Sequence, residues 1–89
     1  MKKAFQIRVE GRVQGVGFRY HTCAKAQEAG VFGIVKNMPD GSVFIEAEGE
    51  ESALEMFSLW CRQGPGWAKV TRFHVTPQPP CGYTSFEIR

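Results

Sequence analysis

The chain has 89 residues, a formal net charge of +2 and an ordinary composition, 43% hydrophobic and 22% charged. That much apolar material excludes a disordered polymer, and no apolar run approaches the roughly 18 residues that cross a bilayer. The charge is too mild to mark a nucleic-acid surface by itself. Area scaling allows one core under a folded surface of about 5,200 Å², so a single domain over residues 1–89 is expected.

The N-terminus opens with Lys2 and Lys3 but has no long apolar stretch and no small-residue cleavage site, so it does not read as a signal peptide. Cys23, Cys61 and Cys81 are odd in number, far apart and in no Cys-x-x-Cys motif. They indicate neither a disulfide scaffold nor a zinc site. Three free thiols in a reducing cytoplasm are expected, and the sequence leaves open one bridge between two of them.

Residues 4–13 alternate Phe5, Ile7 and Val9 with Gln6, Arg8 and Glu10, the period of a half-buried strand. A loop with Gly11, Gly15 and Gly17 follows, and residues 18–29 read as a helix. Phe18, Thr22, Ala26 and Ala29 share one face of it, and Gly30 closes it. Residues 31–38 form a second strand, Pro39-Asp40-Gly41 a turn and residues 42–49 a third strand, which together make a hairpin. In the third strand Val43, Ile45 and Ala47 point inward. Residues 50–63 read as an amphipathic helix with Ala53, Leu54, Phe57, Trp60 and Cys61 on the core side, so Trp60 is expected in the core. Gly64-Pro65-Gly66 stops it. Residues 69–76 are a fourth strand. After Pro77, Pro79 and Pro80, residues 85–89 read as a short last strand burying Phe86 and Ile88.

The order β-α-β-β-α-β plus a short extra strand predicts an α+β, ferredoxin-like sandwich, an antiparallel sheet with two helices on one face. In that topology the second strand runs parallel to the first, with the third between them. The glycine loop and Asn37 then share one edge of the sheet, about two strand spacings or roughly 10 Å apart. A glycine loop that opens a helix can hold an anion on its N–H groups. Arg19 sits in the helix's first turn, where a cation is unfavourable for the helix itself, which suggests another use. A guanidinium can grip a phosphate with two parallel hydrogen bonds. The loop is neither a Walker A motif nor a dinucleotide fingerprint.

Gly11-Arg12-Val13-Gln14-Gly15-Val16-Gly17-Phe18-Arg19, followed by Lys36-Asn37-Met38-Pro39-Asp40-Gly41-Ser42-Val43, resembles the acylphosphatase family over almost the whole chain. The resemblance implies hydrolysis of the carboxyl–phosphate anhydride of acyl phosphates, with no metal and no cofactor. It implies that Arg19 binds the phosphoryl group and Asn37 orients the attacking water. It also implies that backbone amides of Gln14, Gly15, Val16, Gly17, Phe18 and Arg19 cradle the phosphate oxygens. Met38 departs from the Leu or Thr often found there, a matter of packing. His21 and Gly17 fall at variable positions.

Taken alone, Arg19 reads as a surface arginine and Asn37 as the residue that starts a turn. His21 and His74 lie far apart and read as ordinary histidines. Trp67, flanked by Gly66 and Ala68, is expected to line the outside of the site. Glu46, Glu48, Glu50 and Glu51 read as a solvated acidic stretch, and Arg12 and Lys36 as cations that attract anions generally. The competing reading is a catalytically idle ferredoxin-like binding or regulatory module. An RNA-binding version has only Phe44 to stack on, beside Glu46 and Glu48. The partner expected is a small-molecule acyl phosphate, with no nucleic acid and no membrane. A monomer is expected, since no apolar helix stripe is left over.

Overall fold

A computed structural model describes residues 1–89. The elements are β1 (Lys2–Arg12), α1 (Phe18–Ala29), β2 (Phe32–Asn37), β3 (Val43–Glu50), α2 (Glu51–Gln63), β4 (Lys69–Gln78) and β5 (Phe86–Ile88). They form one five-stranded sheet in the order β4-β1-β3-β2-β5. β3 is antiparallel to both β1 and β2, so β1 and β2 run parallel on either side of it, as the sequence predicts. β5 pairs with β2 in parallel, which makes the sheet mixed.

Both helices cover one face. Phe18 and Ala26 of α1 and Leu54, Phe57 and Cys61 of α2 pack on Ile7, Val9, Val35, Val43, Ile45 and Ala47. Ala29, Ala53 and Trp60 are only half-buried, so Trp60 flanks the core rather than filling it; its ring lies 6.1 Å from that of Phe18. Gly30 ends α1, with the Val31 amide donating to the Ala26 carbonyl at 2.8 Å. Glu51 and Arg62 sit at the ends of α2 where the helix dipole favours each charge. The folded surface is 5270 Å², as scaling predicts. All three cysteines are free, and burial pushes the Cys61 thiol well up, leaving it inert in the core.

The acidic stretch is not solvated throughout. Glu48 is 1% exposed. The chain must travel from β4 at one edge to β5 at the other, and residues 79–85 cross the helix-free face to do so. There Glu48 accepts the amides of Cys81 at 2.7 Å, Gly82 at 2.9 Å and Tyr83 at 2.6 Å. Glu46 accepts the Tyr83 hydroxyl at 2.6 Å, which pushes that hydroxyl's pKa up to about 12, and a Gln78 amide hydrogen at 3.1 Å. A buried carboxylate stands only where donors replace its water, and here three amides do. Ala4 and Ile34, cross-strand neighbours of Glu48 and Glu46 on this face, are buried as well.

Glu48→Ala orphans three amides, so urea unfolding is expected to show a loss of roughly 3–5 kcal/mol. A loss under about 1 kcal/mol would show that the crossing holds without it.

Ile88 also departs from expectation. Phe86 is buried, with its ring 5.8 Å from that of Phe57, but Ile88 is 45% exposed. The sheet ends at β5, so nothing covers its outer residue. On α2, Met56 and Leu59 lie three residues apart on the outer side and are exposed, a single pair rather than a stripe. No helix is long and apolar enough to cross a membrane.

Candidate active site

The ends of β1 and β2 converge on a cavity of about 170 Å³ lined by Val13, Gly15, Gly17, Phe18, Arg19, Tyr20, Asn37 and Ile88. Gly15, Gly17, Phe18, Arg19 and Asn37 therefore come together as the sequence suggests. Gln14 and Val16 are not among the lining side chains. Val13, Tyr20 and Ile88 form walls that pattern reading did not assign.

The loop has the geometry of an anion cradle. Gly15 and Gly17 take left-handed conformations, with φ of 75° and 77°, which a side chain would oppose. Gly17 is the N-cap of α1, and no side chain caps the helix or places an acid in its first turn. The first amide to find a partner is that of His21, which donates to the Gly17 carbonyl at 3.0 Å. The amides of residues 14–20 donate to no acceptor in the protein. A row of unpaired donors at a helix N-terminus is a concentrated positive potential.

Arg19 is half-buried and forms no ion pair, so its guanidinium is free to bind. Phe18, only 1% exposed, anchors the first residue of the helix and so fixes where Arg19 begins. Across the cavity, Asn37 Oδ1 is buried with no hydrogen-bond partner in the protein. Turning that amide about its last torsion breaks no protein–protein bond.

Gln14 contributes through its side chain. Its Nε2 donates to the carbonyls of Met38 at 2.8 Å and Ser42 at 2.9 Å, tying the glycine loop to the turn that follows Asn37. The turn is itself braced by Asp40, which accepts the Ser42 hydroxyl at 2.6 Å and amide at 2.9 Å and pairs with Arg8. The Ser42 hydrogen bonds, with the charge of Arg8 beside them, hold the Asp40 carboxyl below its usual range. No pattern exposes the Gln14 clamp, because its partners are carbonyls 24 and 28 residues away.

Gln14→Ala frees the loop from the turn. The expected result is a roughly tenfold lower kcat, since small misplacements of catalytic groups are costly. The fold should lose only about 1–2 kcal/mol. Unchanged turnover in that variant would show that Arg19 and Asn37 are held by other contacts.

None of the other residues singled out from sequence lines this cavity. His21 is exposed, its ring edge-on to Tyr20 at 5.4 Å, and His74 pairs with Glu10 at 3.0 Å. Lys36 sits over the Phe44 ring at 5.5 Å. Trp67 is 81% exposed. No three His, Cys, Asp or Glu side chains are grouped to hold a metal.

A mixed sheet with both helices on one face, opening at the parallel strand ends onto a glycine loop of unpaired amides, defines a ferredoxin-like α+β domain. The acylphosphatase family profile matches residues 5–88. An acylphosphatase of Thermotoga petrophila is 54% identical over 87 residues, covering 98% of this chain and 97% of that one. The crystal structure of acylphosphatase from Bacillus subtilis superposes with a TM-score of 0.94 at 42% identity, covering 100% and 99% of the two chains. An acylphosphatase structure from Coxiella burnetii gives 0.95 at 32% identity, covering 99% and 93%. The chain belongs to the acylphosphatase family, hydrolases that act on acid anhydrides.

Proposed function

We propose that this chain hydrolyses the carboxyl–phosphate anhydride of small acyl phosphates to carboxylate and phosphate, with no metal or cofactor. The observation that carries the reading is the run of unpaired amides at residues 14–20, beside a free Arg19 guanidinium in the same cavity. The amides of Gln14, Gly15, Val16, Gly17, Phe18 and Arg19 hold the phosphoryl oxygens, and Arg19 grips two of them in its fork. Asn37, two strands away, holds the attacking water by donating and accepting through its amide.

These groups suffice for the chemistry. A carboxylate with a pKa near about 4 leaves without a general acid. The transition state is loose, with charge spread over the equatorial oxygens, so positioning and fixed positive potential give most of the help. No side-chain nucleophile is required. Water attacks phosphorus in line, the bond to the acyl oxygen breaks, and the bonding pair leaves with the carboxylate. The same reading has the protein act as a monomer in the cytoplasm.

The test is release of phosphate from acetyl phosphate in the presence of a chelator. Turnover that the chelator does not reduce is the expected result. Release that needs an added divalent ion would overturn the metal-free mechanism. No release, with inorganic phosphate still bound, would leave an idle phosphate-binding module instead.

A further inference from the structure

The β1–β4 ladder carries an irregularity next to the site. Val9 faces Phe73 and Glu10 faces Arg72, but Gly11 faces Val70 and Arg12 faces Lys69. Thr71 is therefore the extra residue of a β-bulge in β4. Gly11 permits it, with φ of 125°; a Cβ there would collide with the Lys69 carbonyl oxygen. In the unbulged register Arg12 would face Val70. The bulge instead sets two cations directly across from each other, an arrangement that costs stability in a sheet. Neither forms an ion pair. Beside them, the exposed Trp67 lines a shallow hollow with Arg12, Gly15 and Val16.

Gly15 also belongs to the cavity that holds Arg19 and Asn37, so the two hollows meet at that glycine. The strand order sets their sides: β3 and β2 lie to one side of β1, and β4 to the other. Asn37 ends β2, whereas Trp67 and Lys69 lead into β4. In-line displacement needs the entering and leaving oxygens on opposite sides of phosphorus. Water held on the β2 side sends the leaving group toward β4.

We propose that the acyl group of the substrate lies against Trp67, and that Arg12 and Lys69 receive the carboxylate as it departs. The inference rests on the acyl-phosphate reading of the loop. As the phosphorus–oxygen bond to the acyl group breaks, its electron pair becomes carboxylate charge. Arg12 and Lys69 offset that charge where it develops, while the water's proton passes to solvent. Trp67 offers its indole face to an aromatic acyl body. The substrates favoured are acyl phosphates with a ring next to the carbonyl.

The test compares acetyl phosphate with a series of substituted benzoyl phosphates, and measures inhibition by inorganic phosphate in parallel. Trp67→Ala is expected to raise KM for benzoyl phosphate about fivefold and leave that for acetyl phosphate unchanged. Arg12→Gln combined with Lys69→Gln is expected to lower kcat about tenfold and to steepen its dependence on the pKa of the leaving carboxylate. Phosphate inhibition should stay unchanged in both variants. Equal KM changes for the two substrates, an unchanged dependence on leaving-group pKa, or weakened phosphate inhibition would each overturn the subsite. Wild-type protein that hydrolyses none of these acyl phosphates would overturn the acyl-phosphate reading itself, and the subsite with it.

Discussion

Arg19→Lys is expected to lower kcat/KM for acetyl phosphate by about 10²–10³-fold, the scale of losing a positioned donor to developing anionic charge. The charge is kept, but the planar fork is lost. An ammonium can satisfy one phosphoryl oxygen where the guanidinium satisfies two. Inhibition by inorganic phosphate should weaken in step, because the same contact exists in ground state and product. Arg19→Ala separates function from folding. A cation in the first turn opposes the helix dipole, so removing it should leave the fold as stable, or more stable by about 0.5 kcal/mol. Activity should then be lost in a protein that unfolds no earlier in urea. A lysine variant with wild-type kcat/KM would show that the guanidinium does not touch the phosphoryl group.

Asn37→Ala is expected to remove about 10²–10³-fold of kcat while phosphate inhibition stays within about twofold. The proposed role is to hold water, and water is absent from the phosphate complex that inhibition measures. Asn37→Asp should differ in kind. Its carboxylate would face the phosphoryl group across the cavity, so turnover and phosphate binding should both fall. If the alanine variant loses phosphate affinity in proportion to turnover, Asn37 is a binding group and the division of labour with Arg19 is wrong.

Much of this arrangement is legible in the chain. Period-two alternation in residues 4–13 and 42–49, the Pro39-Asp40-Gly41 turn and the glycines around residue 15 mark the elements whose order places the third strand between the first two and brings Arg19 and Asn37 to one edge. What stays hidden depends on distant partners. Glu46 and Glu48 alternate with inward residues and so read as facing solvent, yet segment 79–85 lies over them. Nothing local to a strand announces a covering segment more than 30 residues away, and the prolines at 77, 79 and 80 read only as a break. Ile88 misleads for the opposite reason: its spacing from Phe86 matches a buried face, but the sheet ends there. The Gln14 clamp and the bulge at Thr71 depend on backbone groups of other elements, which side-chain patterns do not encode.

The crossing segment also bears on self-association. It delivers β5 to β2, which would otherwise present its outer ladder of amides and carbonyls to any passing strand. At the opposite margin β4 guards itself, with Lys69, Arg72 and His74 along it and Pro77 near its end. A molecule in which residues 79–88 peel away would uncover β2 as an unpaired strand, its own apolar Ile34 included, the ingredients of a fibril seed. The Glu48 carboxylate, which lines no part of the cavity at Arg19 and Asn37, thus helps keep separate copies of the chain from templating one another.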